Sequence, residues 1–223
     1  MIVSKNEPVT LIGGAEVEGD DLDLALARAP NLVAADSGAD RALALGHSPE
    51  AVIGDLDSLT DKGRAAIPDD RLHLISEQDS TDFEKALREI SAPLVIGLGF
   101  MGGRMDHQMA VFNALVQFPK QRCLLLGSRD VVFLCPPSFR LDLEEGTTVS
   151  LFPLGAVEGV SDGLLWPIGG LYFAPDGRVG TSNIATGTID VAFTAPKMLM
   201  MLPRACFGDV AEALLNTSAH WHG

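Results

Sequence analysis

Ala51-Val52-Ile53-Gly54-Asp55-Leu56-Asp57-Ser58 is a short apolar run that ends in glycine and then in two acidic residues one position apart. A run this short, closed by a turn residue, reads as a strand buried in a sheet. If the chain stays extended past Ile53, Asp55 and Asp57 project to one side about 6 to 7 Å apart, within reach of a single cation directly or through its water. The pattern recurs on either side. Leu32–Ala35 runs into Asp36-Ser37-Gly38, and Leu94–Leu98 runs into Gly99-Phe100-Met101-Gly102-Gly103-Arg104, with Met105, Asp106 and His107 behind. Residues 51–107 therefore organise the chain, and their acidic side chains with the guanidinium of Arg104 suggest a magnesium site that handles phosphate groups.

Working outward, Val9–Ile12 is a strand closed by Gly13-Gly14, a turn that permits close approach to a phosphate or simply turns the chain. Asp20 and Asp21 lead a helical stretch through Leu22, Leu26 and Ala29, and Ala39–Leu45 is a helix closed by Gly46. Leu72–Ile75 is a further strand. Thr81 with Glu84 fits a capping box, which predicts a helix from Asp82 to Ile90 burying Phe83, Ala86, Leu87 and Ile90. After Arg104, the spacing of Met105, Met109, Phe112, Leu115 and Val116 predicts a helix that packs this stripe into the core. Cys123–Leu126 adds a sixth strand. Alternation of this kind predicts an α/β fold, a mostly parallel sheet with helices on both faces.

From about Val131 the helical periods vanish, and short runs (Val149–Phe152, Leu171–Phe173, Ile189–Phe193) stand between Gly, Pro and Asp turns. An all-β domain, a small sandwich or barrel, is expected there, and the two domains are drawn at 1–134 and 135–223. Asp209–Leu215 reads as a short terminal helix. His220-Trp221-His222 reads as a loose tail rather than a metal site.

Composition excludes several function classes. A formal net charge of -14 argues against nucleic acid or an anionic membrane surface as partner, since both demand a cationic face. No run of apolar residues is long enough to span a bilayer, and the first residues lack a basic segment followed by an apolar core, so the cytoplasm is the expected location. Cys123, Cys135 and Cys206 have neither disulfide-framework nor zinc-knuckle spacing and are expected to be small buried hydrophobes.

Asp36, Asp55, Asp57, Asp79, Asp82 and Asp106 all follow strands closely. In an α/β sheet such positions converge on one crevice, although an Asp there is often only a turn former or a cap. A cluster of this size repels itself without a counter-ion. Arg104, at the mouth of a helix, is either a phosphate fork or the structural partner of Asp106.

These stretches resemble the motifs of the thiamine pyrophosphokinase family. The resemblance rests on Ala34-Ala35-Asp36-Ser37-Gly38-Ala39, Gly54-Asp55-Leu56-Asp57-Ser58, Gln78-Asp79-Ser80-Thr81-Asp82-Phe83, Gly102-Gly103-Arg104-Met105-Asp106-His107 and Thr181-Ser182-Asn183, in that order along most of the chain. It implies an α/β catalytic domain over 1–134 that binds ATP and Mg2+, a β-sandwich thiamine-binding domain over 135–223, and a homodimer with its active site at the subunit interface. It implies transfer of the pyrophosphoryl group of ATP to the hydroxyl of thiamine, giving thiamine diphosphate and AMP. Carried over by motif, Asp55, Asp57 and Asp82 hold magnesium and, with Arg104, form the catalytic set. Asp36, Gln78, Thr81, Asp106, Ser182 and Asn183 bind substrate.

Two departures stand out: Ser37 where many members have Gly, and a loose match over Gly163-Leu164-Leu165-Trp166-Pro167, where Trp166 stacks on thiamine or fills a core. A haloacid-dehalogenase-like phosphatase wants Thr or Val where Leu59 stands. A metal-dependent glycosyltransferase leaves Gln78–Asp82 and the β domain unexplained. A non-catalytic thiamine or nucleotide sensor is separable only by turnover.

Overall fold

The computed structural model describes residues 1–221, so His222 of the terminal segment lies outside the described residues. The chain divides into two compact units, Met1–Ala114 with Leu125–Gly127, and Leu115–Leu124 with Ser128 onward.

In the first unit, strands β1 (Val3–Ser4), β2 (Val9–Ile12), β3 (Asn31–Ala35), β4 (Ala51–Gly54), β5 (Leu72–Leu74), β6 (Ile90–Ser91) and β7 (Val95–Leu98) are interleaved with helices α1 (Gly19–Leu26), α2 (Gly38–Ala44), α3 (Asp61–Ala66) and α4 (Asp82–Glu89). Helix α5 (Met105–Gln117) and strand β8 (Cys123–Leu126) straddle the division. Five strands pair in parallel in the order β7-β2-β3-β4-β5, and β1 with β6 forms a separate parallel ribbon. Every residue of β2, β3, β4 and β7 is buried, which is why these strands carry continuous apolar runs instead of alternation. The chain steps outward from β2 to β5 and then returns to set β7 on the other side of β2. The order reverses there, and beyond the strands' carboxyl ends at such a reversal a crevice opens.

Two expectations change. Helix α3 was not expected, because its six residues with Gly63 among them show no apolar period; it is held locally by Thr60, whose Oγ1 accepts from the Gly63 amide (3.0 Å) and whose amide donates to Asp40 (2.9 Å). In α5 the expected stripe splits: Leu115 and Val116 are buried, but Met105 and Met109 are 69% and 65% exposed.

The second unit is antiparallel throughout: β9 (Asp130–Leu134), β10 (Ser138–Leu141), β11 (Thr148–Pro153), β12 (Val157–Leu164), β13 (Tyr172–Phe173), β14 (Gly180–Phe193) and β15 (Met198–Pro203). The long β14 changes partners along its length. Its first half pairs with β11 and its second half lies between β10 and β12, where Ile189, Val191 and Phe193 are buried and Asp190 is exposed, the predicted alternation. Helix α6 (Phe207–Asn216) follows, with Phe207, Val210, Ala211 and Leu214 buried at helical spacing.

The segment after α6 is not loose. Arg122 Nη2 donates to the carbonyls of Thr217 (2.6 Å) and Ala219 (3.3 Å), and Trp221 Nε1 donates to the Cys135 carbonyl (2.7 Å). These partners are far away in sequence, so no local pattern announces them. No described helix is long and apolar enough to cross a membrane.

Candidate active site

The crevice beyond the strand ends of the first unit has a volume of about 620 Å³. Its floor comes from the turns after β2 (Gly13, Gly14), β3 (Asp36, Ser37), β4 (Asp55, Asp57, Ser58) and β7 (Gly99, Phe100), and its walls from Gln78 and Thr81, from Asp82 and Lys85 on α4, and from Arg104 and His107. The glycines answer to protein packing as well as to any ligand: a Cβ on Gly13 would lie 2.5 Å from Phe100 Cε1, and one on Gly14 2.4 Å from Ser37 Oγ.

Oxygens of Asp36, Asp55 and Asp57 come within 4.8 Å of one another. The chain does not reach this arrangement by staying extended past Ile53. Leu56 adopts φ 59 and buries its side chain, while the Asp57 amide donates to Asp55 Oδ1 (3.4 Å). Asp36 likewise sits at φ 43. A non-glycine residue in that region costs about 1 kcal/mol and persists where its surroundings enforce it. Ser58 Oγ donates to Asp57 Oδ1 (2.9 Å). Gly54 leaves room for this convergence, since a Cβ there would stand 3.0 Å from Asp36 Cβ and 3.2 Å from Asp82 Oδ1.

Asp82 faces the same space but is held by a lysine that hydropathy did not reveal. Lys85 is 1% exposed, and its Nζ lies 2.9 Å from Asp55 Oδ2 and 3.3 Å from Asp82 Oδ1. One signal was available: Lys85 lies three residues after Asp82 on a helix that Thr81 caps, so both side chains leave the same face. The cap is complete, with the Thr81 amide donating to Glu84 Oε2 (2.7 Å) and the Glu84 amide to Thr81 Oγ1 (3.3 Å). Gln78 Nε2 donates to Asp55 Oδ2 (3.3 Å), on a loop anchored by Glu77. Ser80, then Arg88, holds the Glu77 carboxyl down at about 2.

The electrostatics follow from burial and crowding. Burial, then the field of Asp82, raises the Asp36 carboxyl above its ordinary range, and its buried Oδ1 has no hydrogen-bond partner among the described residues. Burial, opposed by Lys85, also raises Asp82. Asp55 goes the other way because Lys85 bonds it directly. Burial works against the Lys85 charge, but Asp55 and Asp82 outweigh it and raise the ammonium. An all-oxygen donor set with an orphaned buried carboxylate oxygen fits a small hard divalent cation.

Of the six acidic residues that follow strands, Asp36, Asp55, Asp57 and Asp82 line the crevice, while Asp79 and Asp106 do not. Asp106 instead accepts from Arg104 Nε (3.2 Å) and Nη2 (2.6 Å), an exposed bidentate pair. Ser182 and Asn183 lie on β14 in the second unit. Ser182 is exposed at φ 63. Asn183 is buried, and its carboxamide accepts from the Trp166 amide (3.1 Å) and donates to the Trp166 carbonyl (2.7 Å), which fixes the backbone beneath an indole that is 56% exposed. Trp166 is therefore not a core tryptophan.

Fold and site define a class: an α/β unit with a carboxylate-lined crevice at a strand-order reversal, followed in the chain by an antiparallel β unit. The family model described as thiamin pyrophosphokinase, catalytic domain, matches residues 22–126, and that described as thiamin pyrophosphokinase, vitamin B1 binding domain, matches 138–198. The chain belongs to the thiamin pyrophosphokinase family. Among curated relatives, thiamine pyrophosphokinase 3 of Oryza sativa subsp. japonica is 29% identical over 157 residues, 62% of this chain and 59% of that protein. Thiamine pyrophosphokinase 1 of Arabidopsis thaliana is 26% identical over 161 residues, again 62% and 59%. The chain thus spans less than two thirds of the length of these relatives. In fold it resembles the thiamin pyrophosphokinase from Candida albicans (TM-score 0.76, 18% identity, covering 90% of this chain and 92% of that one) and that from Geobacillus thermodenitrificans (0.71, 22%, 88% and 96%).

Proposed function

We propose that this protein is a thiamine diphosphokinase that moves the pyrophosphoryl group of ATP onto the hydroxyl of thiamine, forming thiamine diphosphate and AMP. One observation carries the reading: the three carboxylates that converge in the crevice all fall inside the stretch matched by the catalytic-domain model. In this reading the α/β catalytic domain over 1–134 binds ATP, and a β-sandwich over 135–223 binds thiamine.

Asp55, Asp57 and Asp82 are the residues that would hold Mg2+, with Asp36 converging on Asp55 and Asp57 beside them, and the ion would supply charge neutralisation on the phosphates. Arg104 provides a planar fork for a phosphate in exchange for its exposed pair with Asp106, a pair worth little in water. Gln78 and Thr81 border the nucleotide side. The hydroxyl oxygen bonds to the β-phosphorus, the bond from that phosphorus to the α–β bridging oxygen breaks, and a carboxylate of the cluster takes the hydroxyl proton. Ser182 and Asn183 serve the thiamine pocket, Asn183 by fixing Trp166, whose exposed ring suits a flat cationic heterocycle.

The protein acts as a homodimer with its active site at the subunit interface; the exposed Met105 and Met109 on α5 and Leu165, Trp166 and Tyr172 in the second unit support this. We place it in the cytoplasm, a reading supported by three cysteines that are all free thiols. The test is direct: incubate the purified chain with ATP, Mg2+ and thiamine, and follow the products by 31P NMR. AMP and thiamine diphosphate in equal amounts are expected. ADP with thiamine monophosphate, or no thiamine-dependent AMP, would overturn the assignment.

A further inference from the structure

Strand β14 is irregular where it pairs with β11. Val149 stands opposite Asn183 and Leu151 opposite Gly180, so Thr181 and Ser182 together face the single residue Ser150, a β-bulge. Ser182 takes φ 63 there, a left-handed turn that glycine adopts freely and serine only with strain. A bulge interrupts the ladder and leaves a backbone group in need of another partner. Here the Ser150 hydroxyl stands in, and its Oγ accepts from the Ser182 amide at 3.0 Å. Val149 and Leu151 are buried, which puts the half-buried Ser150 between them on the other face of β11. Immediately past the bulge, Asn183 is buried and bonds both backbone groups of Trp166, while Ser182 stays exposed.

A non-glycine residue held in a strained turn by its surroundings is a mark of function. We propose that Ser150 is a positioning residue for thiamine: its hydroxyl holds Ser182 in the left-handed turn, and serine stands there in place of glycine because its side chain serves the substrate. The inference rests on the reading of Ser182 as a residue of the thiamine pocket. Ser150 itself does not touch the substrate. It acts through one amide, and without that bond the turn relaxes and carries Ser182 away from its working position. Threonine conserves the acceptor and suits a strand, whereas alanine removes it.

The experiment measures kcat, the KM for thiamine and the KM for ATP from AMP release, together with the melting temperature. Ser150→Ala is expected to raise the thiamine KM about three- to tenfold, the worth of one hydrogen bond, with kcat and the ATP KM unchanged. Ser150→Thr is expected to restore the wild-type KM. Ser182→Ala is expected to raise the thiamine KM as well, and combining it with Ser150→Ala to change nothing further, because the two residues act in series. An unchanged thiamine KM in Ser150→Ala, a matching loss in kcat and the ATP KM, or additivity with Ser182→Ala overturns this inference alone. No thiamine-dependent AMP release by the wild type overturns the proposed function and the inference with it. Should Ser150→Ala fail to fold, Ser182→Gly decides, since it accepts the turn without strain but lacks the hydroxyl. It should melt no lower than the wild type and show a raised thiamine KM; a lower melting temperature or a wild-type KM overturns the inference.

Discussion

Asp36 holds a carboxylate where water does not reach one of its oxygens, and no donor among the described residues replaces the water. Burial raises its folded-state pKa above the unfolded one, so the ionised form costs stability at neutral pH, and the cost disappears as pH falls through the folded value. Asp36→Asn should therefore raise the melting temperature in chelator at pH 7 by about 2–4 °C, the shift expected for about 1 kcal/mol in a chain of this size. Added Mg2+ should then stabilise the wild type more than the variant. Differential scanning calorimetry with and without the ion decides, and a variant that melts lower in chelator refutes the account. Asp55→Asn or Asp57→Asn should abolish Mg2+-dependent AMP release while far-ultraviolet circular dichroism stays unchanged, and retained turnover removes either residue from the metal site. At this scale the sequence disclosed the Asp-x-Asp pair, because single acidic residues after strands make turns and caps, whereas several after neighbouring strands repel one another without a counter-ion. It did not disclose Lys85 or the left-handed Leu56. Whether a lysine is buried depends on carboxylates that arrive from other elements, and a positive φ at leucine is imposed by packing and not by the residue's own preference.

Thr81 shows how one residue serves an element and a site together. Its hydroxyl closes the first turn of α4, and that helix carries Asp82 and Lys85 into the crevice. Thr81→Ala should cost about 1 kcal/mol, as measured for lost N-caps, and Thr81→Ser should recover most of it. Chemical denaturation measures the first effect. If turnover falls in Thr81→Ala but returns in Thr81→Ser along with stability, the cap is the relevant role, whereas full stability in Thr81→Ala would show that the cap contributes nothing. This helix was legible because a capping box and an apolar face coincide, as were β2, β3, β4 and β7 because strands buried on both faces leave unbroken apolar runs. Helix α3 was not, since Thr60, Asp40 and local turns hold it and no apolar stripe marks it. The terminal segment escaped for a related reason: Arg122 and Cys135, which hold it, lie far away along the chain.

At the scale of the whole molecule, periodicity reports that a helix face is apolar but not what covers it. Met105 and Met109 fit the period of a core stripe and yet stand in solvent, the place where a second copy of the chain would take them up. Each large apolar side chain removed from water contributes about 1.5–3 kcal/mol, so a charge at both positions is a strong test of association. Met105→Glu combined with Met109→Glu should sediment as a monomer at concentrations where the wild type is a dimer. Because both side chains are exposed in the single chain, its far-ultraviolet circular dichroism should match the wild type, while its unfolding transition should lose the concentration dependence of a dimer. If the active site is completed across that interface, the thiamine KM of the monomer should rise at least about tenfold, a loss of roughly 1.4 kcal/mol in binding. Mg2+ uptake by the crevice should persist, since Asp36, Asp55 and Asp57 all come from one chain. A monomeric variant with unchanged thiamine KM would separate catalysis from assembly, and a variant that stays dimeric would move the interface away from α5.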